Sequence, residues 1–171
     1  MTDVISHENA VVDLDAAQPQ PGMASDELVR QLAERARAEG LRLLDWLVAE
    51  QTAPRGHFSF TPTHGWTGGE PRPAFDQQPI EAGAMADAAA RAFTVTGQAD
   101  WADVTIRSAG WFTGRNDLGV AMFDDRTGGC FDGLQVDGPN VNQGAESTIV
   151  FLTALRRAHE VALPSDRACV A

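Results

Sequence analysis

The sequence predicts an all-α domain with four principal helices and two long, ordered loops at one end. Apolar side chains recur with helical spacing in four segments. Residues that start or stop helices flank those segments, notably Pro79 and Gly97. The connections over residues 52–78 and 114–143 far exceed the ~4–6 residues common in compact domains, and their many aromatic side chains disfavour disorder. We expect no sheet larger than a hairpin, although residues 58–60 can pair briefly with another extended segment.

The first two helices follow from capping residues and spacing. The first is predicted over residues 26–51, with Ser25 as its N-cap, and Gly40 weakens its middle by roughly 1 kcal/mol relative to alanine. The second begins at Pro79 and ends near Gly97, which can adopt the left-handed conformation that terminates helices. Because small apolar residues cover most of its circumference, we expect this helix to be buried on several sides.

The last two helices complete the scaffold. The third is predicted over residues 99–113, with Trp101 and Trp111 in the core, and the fourth over residues 144–161. Only a short turn at residues 96–98 joins the second helix to the third. Both long loops must then lie at the opposite end of that hairpin, and this is the face where we look for function.

Charge and composition exclude several classes of protein. The chain has 13 arginines, no lysine and 24 acidic residues, for a net charge of −11. Nucleic-acid binding needs a basic face, and spanning a membrane needs ~18 or more consecutive apolar residues, so we expect neither partner. Cys130 and Cys169 occupy no metal-ligand spacing, and no cofactor is expected. A cytoplasmic location is the default expectation.

The termini differ from the rest of the chain in composition. Residues 1–24 are acidic, aperiodic and contain two prolines, so they predict a disordered leader. Residues 164–171 predict a flexible tail. The folded domain is therefore expected over residues 25–163.

Polar patches beside the helix ends suggest a carbohydrate ligand. Residues 75–81, 114–119 and 128–147 are rich in amides, carboxylates and arginine, which exchange hydrogen bonds with sugar hydroxyls. Trp66, in a glycine-rich loop, offers a flat face for stacking on a sugar ring. Cleavage of a glycosidic bond requires paired carboxylates, which these patches also supply.

Four segments in order resemble the C-terminal motifs of bacterial proteins in the six-hairpin glycosidase superfamily. They are DQQPIEA (76–82), WFTGRNDLG (111–119), TGGCFDGL (127–134) and NQGAEST (142–148). The resemblance covers about residues 40–160 and implies antiparallel helical hairpins of an (α/α)6 toroid and a carbohydrate-linked activity. Such proteins often occur near, or are labelled as, glycosyltransferases.

Closing a ring of six hairpins takes more helices than the four predicted here. We therefore expect an incomplete toroid: a fragment, or a piece completed by another chain. Toroid helices bury surface against neighbours on both sides, so we also expect self-association through the uncovered apolar surface.

Three acids are candidates for catalysis. Glu81 and Glu146 fall in the first turns of helices, where the dipole favours a carboxylate by ~0.3–1 kcal/mol even without a catalytic role. A charged carboxylate suits a general base or an electrostatic stabiliser. A general acid must hold its proton, which apolar surroundings favour, and Asp76 beside Phe75 meets that demand better. We predict Asp76 as the acid and Glu146 as the base or stabiliser, with Glu81 as a further catalytic candidate.

Six further residues are predicted to contact substrate. They are His57, Trp66, Gln77, Arg115, Asn116 and Asp117. For each an ordinary structural role stays open: Asn116 and Asp117 suit a turn, and His57 suits a packed loop. Cys130 fits a small buried residue better than a nucleophile. No metal site is predicted, because Asp132 and Asp137 lack the alternating spacing of a calcium loop.

Three functions remain open at this point. The chain can be a glycosidase-type domain, a non-catalytic carbohydrate-binding or accessory subunit of a glycosyltransferase, or a silent fragment that retains only its local fold. The number of helices favours the second and third over the first.

Overall fold

The computed structural model describes residues 25–67 and 70–163, so the predicted leader and tail lie outside the described residues. The helices there are α1 (Ser25–Gln51), α2 (Pro79–Thr96), α3 (Ala99–Phe112) and α4 (Ala145–Ala162). Their bounds lie within one residue of those predicted, and the all-α class is confirmed. Strands β1 (Gly133–Gln135) and β2 (Gly138–Asn140) form an antiparallel hairpin, the one sheet of this part of the chain. An isolated bridge pairs Phe58 with Thr52, as expected for an extended loop segment.

The described residues fall into two compact units, with the boundary after Arg42. In the first unit, residues 25–42 of α1 form ion pairs between side chains three or four residues apart. Arg30 pairs with Glu27 and Glu34, and Arg42 pairs with Glu39. Such pairs support a solvent-exposed helix locally.

In the second unit, α2 and α3 form an antiparallel hairpin. Gly97 ends α2 in the left-handed conformation, with φ of 71°, and its N–H donates to the carbonyl of Phe93. The alanines of α2 allow close approach of neighbouring helices, and Ala82, Ala86 and Ala89 are fully buried. The expected burial of this helix is confirmed.

Helices α2 and α4 pack side by side and run in the same direction. A Cβ on Gly83 would lie 2.0 Å from Cγ1 of Val150, so the two backbones are close there. Further along both helices, Nη2 of Arg157 lies 2.7 Å from Oδ1 of Asp87. In each helix the residue of the second contact, Asp87 or Arg157, follows the residue of the first contact, so the two helices are parallel. The N-termini of α2 and α4 therefore lie at one end, beside the C-terminus of α3. We call this the loop end.

Aromatic side chains fill the core of the loop end. Successive ring centroids lie 5.1–6.0 Å apart along a chain of six residues: Phe58, Phe60, Trp111, Phe112, Phe151 and Phe123. Trp101 and Trp111 are 8% and 0% exposed, which confirms both as core residues. The contacts join residues from both long loops to α3 and α4, so the loops are ordered by packing.

Helix α4 leaves apolar side chains uncovered. Ile149 and Leu152 are 63% and 57% exposed, and Leu155 is partly exposed. No helix in the described residues is both long enough and apolar enough to cross a lipid bilayer.

We expect the purified protein to form a dimer or a larger assembly of copies through this face of α4. Replacing Ile149 and Leu152 together by aspartate should lower the mass measured by light scattering to that of a monomer, because charge opposes burial of the face. The matched control replaces the exposed Arg126 by alanine and should leave the mass unchanged. A monomeric wild-type chain at micromolar concentration would contradict this prediction.

Candidate functional site

A buried amide, that of Gln77, joins the parts of the loop end. Gln77 is fully buried two residues before α2, and its backbone bridges to Leu134 of β1. Its Oε1 accepts from the indole N–H of Trp111 at 2.9 Å and from the backbone N–H of Phe60 at 3.1 Å. Its Nε2 donates to the carbonyl of Ala74 at 2.6 Å and to Oδ2 of Asp117 at 2.5 Å. The amide thus uses its full hydrogen-bonding capacity inside the protein.

Asp117 holds the imidazole of His57. Oδ1 of Asp117 lies 3.1 Å from Nε2 of His57, and both side chains are mostly buried. Burial raises the pKa of Asp117, but hydrogen bonds from Gln77, Ser59 and His57 outweigh it, so the net shift is downward. The carboxylate therefore stays charged and fixes the orientation of the His57 ring through Nε2. The other ring nitrogen, Nδ1, is not bonded to Asp117.

His57 borders an open cleft of about 330 Å³, which we call the arginine cleft. Eight residues line it: Arg55, Gly56, His57, Arg107, Gly114, Arg115, Asn116 and Gly119. Residues 55–57 come from the first long loop, residues 114–119 from the second, and Arg107 from α3. The cleft therefore lies where the two loops meet beside α3, on the face predicted to carry function.

The three guanidinium groups of the cleft are held in different ways. That of Arg107 lies 4.7 Å from the centroid of the Phe58 ring, and its Nη1 donates to the carbonyl of Gly56. Nη2 of Arg55 donates to the backbone carbonyl of Asp117 at 3.1 Å. The stem of Arg115 crosses α3 at Gly110, where an added Cβ would lie 2.8 Å from Cδ of Arg115.

Asn116 builds the turn beneath the cleft. Its buried side chain donates to the carbonyls of Trp111 and Val120. Its Oδ1 accepts from the backbone N–H groups of three residues, Leu118, Gly119 and Val120. These bonds give Asn116 the turn role that was left open, and they use its amide as fully as that of Gln77.

A second hydrogen-bonded group stabilises the start of α4. Oδ1 of Asp132 accepts from the N–H of Gly144 at 2.8 Å and from the hydroxyl of Ser147 at 2.6 Å, and the amide of Asn142 donates to Oδ2. These bonds lower the pKa of Asp132, with Ser147 contributing most. The segments TGGCFDGL and NQGAEST are thereby joined, and Asp132 acts as a distant cap of α4.

Cys130 is buried next to this group. Burial and the nearby charge of Asp132 raise its pKa to about 12, so its thiol stays protonated and unreactive. This agrees with its expected role as a small buried residue. No cluster of three or more histidine, cysteine, aspartate or glutamate side chains suited to a metal ion occurs among the described residues.

The remaining candidates lie at the loop end but outside the lining of the arginine cleft. Asp76 is half-buried, next to Gln77 in the chain. Glu81 and Glu146 are exposed in the first turns of α2 and α4. Trp66 is partly exposed, and its indole N–H donates to the carbonyl of Glu70. The structure thus groups His57, Gln77, Arg115, Asn116 and Asp117, and places these four residues separately.

Sequence reasoning missed Arg55 and Arg107. Both had a local signal: Arg55 stands two residues before His57, and Arg107 lies one helical turn before Trp111, near the end of α3 that reaches the loop end.

No protein-family model matches this sequence, and no curated protein matches it. Guanidinium and imidazole groups that converge on a cleft can donate hydrogen bonds to oxygen atoms of a ligand.

Stability should depend on pH through Asp117. Its pKa is lower in the folded than in the unfolded chain, so its contribution is fully present above the unfolded value of ~3.9 and is lost as pH falls through the folded value. The gap in unfolding free energy between wild type and Asp117→Asn should therefore narrow as pH falls from ~4 towards ~2, as followed by urea titration. The exposed Asp125→Asn is the control. A gap that stays constant over this range would show that the hydrogen bonds do not stabilise the charged form.

Proposed function

We propose that the loop end binds carbohydrate, as a carbohydrate-active domain resembling the C-terminal part of a six-hairpin glycosidase. The observation that carries this proposal is the way Gln77 connects the resembling segments. Gln77 belongs to the first segment, residues 76–82. Its side chain is hydrogen-bonded to Trp111 and Asp117 of the second segment, residues 111–119, and its backbone pairs with Leu134 of the third, residues 127–134. Asp132 then joins the third segment to Ser147 of the fourth.

The chemistry of the arginine cleft supports an oxygen-rich ligand. Its charged side chains are hydrogen-bond donors, and sugar hydroxyls and ring oxygens accept such bonds. Its volume of about 330 Å³ is at the small end of the ~300–1,000 Å³ of ligand sites, which suits one or two sugar residues. Trp66, elsewhere in the first loop, remains our candidate for a stacking surface.

Hydrolysis needs an acid and a second carboxylate, and the loop end offers three. We assign the acid role to Asp76 and the base or stabilising role to Glu146, with Glu81 as the alternative to Glu146. In support, α2 and α4 run parallel, so both glutamates lie at helix N-termini on the same end of the domain.

A non-catalytic binding or accessory subunit, working with a glycosyltransferase, is the second candidate function. The observation in its favour is the lining of the arginine cleft, which among the described residues includes no aspartate or glutamate. A cleft that binds sugar without a carboxylate at its surface can hold a ligand but does not supply the pair that cleavage requires.

One set of variants separates the two functions. Sugar binding is followed by saturation-transfer NMR with neutral mono- and disaccharides, and hydrolysis by release of nitrophenol from aryl glycosides. A hydrolase should lose ~100-fold or more of its turnover in Asp76→Asn and Glu146→Gln while still binding sugar. An accessory subunit should bind sugar without turnover, equally well in both variants. The exposed Asp125→Asn is the matched control, and absence of binding to every sugar would overturn the proposal.

A further inference from the structure

We propose that the arginine cleft recognises a sugar through an anionic group, either a carboxylate or a phosphate. The inference rests on the proposed carbohydrate function and names its ligand class. Three arginines line one cleft of a chain whose net charge is −11. In so acidic a protein a local excess of positive charge is an electrostatic feature of that site rather than of the whole surface.

Two of the three cations are oriented by uncharged groups. Arg55 donates to a backbone carbonyl, that of Asp117. Arg107 donates to the carbonyl of Gly56 and lies against the ring of Phe58. Carbonyl groups and an aromatic face orient a guanidinium but leave its full charge in place.

Among the described residues, two acids lie near these arginines, one fewer than the three cations. The carboxylate of Asp103 lies 3.1 Å from Nε of Arg107, but its side chain is 69% exposed and therefore well screened. The carboxylate of Asp117 is engaged by Gln77, Ser59 and His57. The cleft consequently keeps a net positive charge.

Arg115 is the cation best placed to meet a ligand. It makes no side-chain hydrogen bond or ion pair with any residue in the described ranges, and it is exposed at the rim of the cleft. Its stem lies across Gly110, the position where a side chain would push it away. A guanidinium held by its stem and free at its tip can bind both oxygens of a carboxylate or phosphate.

The test compares four probes by isothermal titration calorimetry at low salt: glucose, glucuronate, glucose 1-phosphate and inorganic phosphate. At least one anionic sugar should bind ~10-fold or more tightly than glucose, and its affinity should fall as salt is added. Arg115→Ala should remove that advantage, because it should weaken binding of the anionic sugar far more than binding of glucose. Arg126→Ala, at an exposed arginine outside the cleft, should change nothing. Preference for glucuronate identifies a carboxylate, and preference for glucose 1-phosphate identifies a phosphate.

This experiment distinguishes a failure of the anionic-sugar inference from a failure of the proposed carbohydrate function. Equal affinity for glucose and both anionic sugars overturns this inference and leaves the carbohydrate function standing. Binding of inorganic phosphate without binding of any sugar overturns the carbohydrate function and leaves an anion site. An unchanged advantage in Arg115→Ala overturns the role of Arg115. Arg55→Gln and Arg107→Gln then test the other two arginines of the cleft, and if both keep the advantage, the inference fails.

Discussion

Replacing Gln77 by leucine is expected to lower the free energy of unfolding by ~3–5 kcal/mol, the largest effect of any single substitution considered for this domain. Leucine has a similar size, so the loss comes from hydrogen bonds rather than from a cavity. The indole N–H of Trp111 and the backbone N–H of Phe60 would remain buried without an acceptor. Asp117 would also lose its 2.5 Å hydrogen bond from Gln77.

The effect of Gln77→Leu is measured by urea denaturation followed by tryptophan fluorescence. Gln78→Leu is the matched control, because Gln78 is the next residue, is exposed and makes no capping bond, so a change within ~0.5 kcal/mol is expected. Trp111→Phe removes one donor to Oε1 of Gln77, which keeps its bond from Phe60, and should cost less, ~1–3 kcal/mol. A loss below ~1 kcal/mol in Gln77→Leu would mean that water replaces these bonds and that Gln77 does not organise the loop end.

Gly83→Ala is expected to have the second large effect on the free energy of unfolding. It should lower that free energy, although alanine favours a helix more than glycine does. Alanine favours a helix over glycine by ~1 kcal/mol. At this position, however, the new Cβ would lie 2.0 Å from Cγ1 of Val150, so α2 and α4 must separate or shift. Overpacking of this kind costs ~1–3 kcal/mol, and we expect net destabilisation.

A double-mutant cycle tests the contact itself. Val150→Ala removes the clashing methyl group, so Gly83→Ala should be tolerated in that background, with a coupling of ~1 kcal/mol or more. Gly40→Ala in α1 is the control: no atom lies within 4 Å of its added Cβ, and it should stabilise its helix. Stabilisation by Gly83→Ala in the wild-type background would contradict the close approach of α2 to Val150 of α4.

The helices could be predicted because their signals are local. Pro79 and Gly97 mark the bounds of α2 within its own sequence, and the small residues between them indicate burial without identifying a partner. The direction of α4 relative to α2 has no such signal, because it depends on how Gly83 meets Val150 across a long connection.

The site was less predictable because its residues meet across the chain. His57 and Asp117 are 60 residues apart, and Gln77 and Trp111 are 34 apart. Amide side chains in a loop are typical both of ligand contacts and of buried supports, and burial distinguishes the two. Gln77 and Asn116 have their hydrogen bonds filled from within, so in the proposed function they position the cleft while Arg115 and His57 face the ligand.

Mapping sugar binding by amide NMR tests the central claim most directly. Three glycines line the arginine cleft, Gly56, Gly114 and Gly119, and their amide signals report on its occupancy. Titration of ¹⁵N-labelled protein with glucose and with glucuronate should shift these signals in a saturable way, and Gly40 in α1 should stay unchanged. Saturable shifts confined to residues away from the loop end, or no shifts with either sugar at millimolar concentration, would contradict the assignment of a carbohydrate site to the loop end.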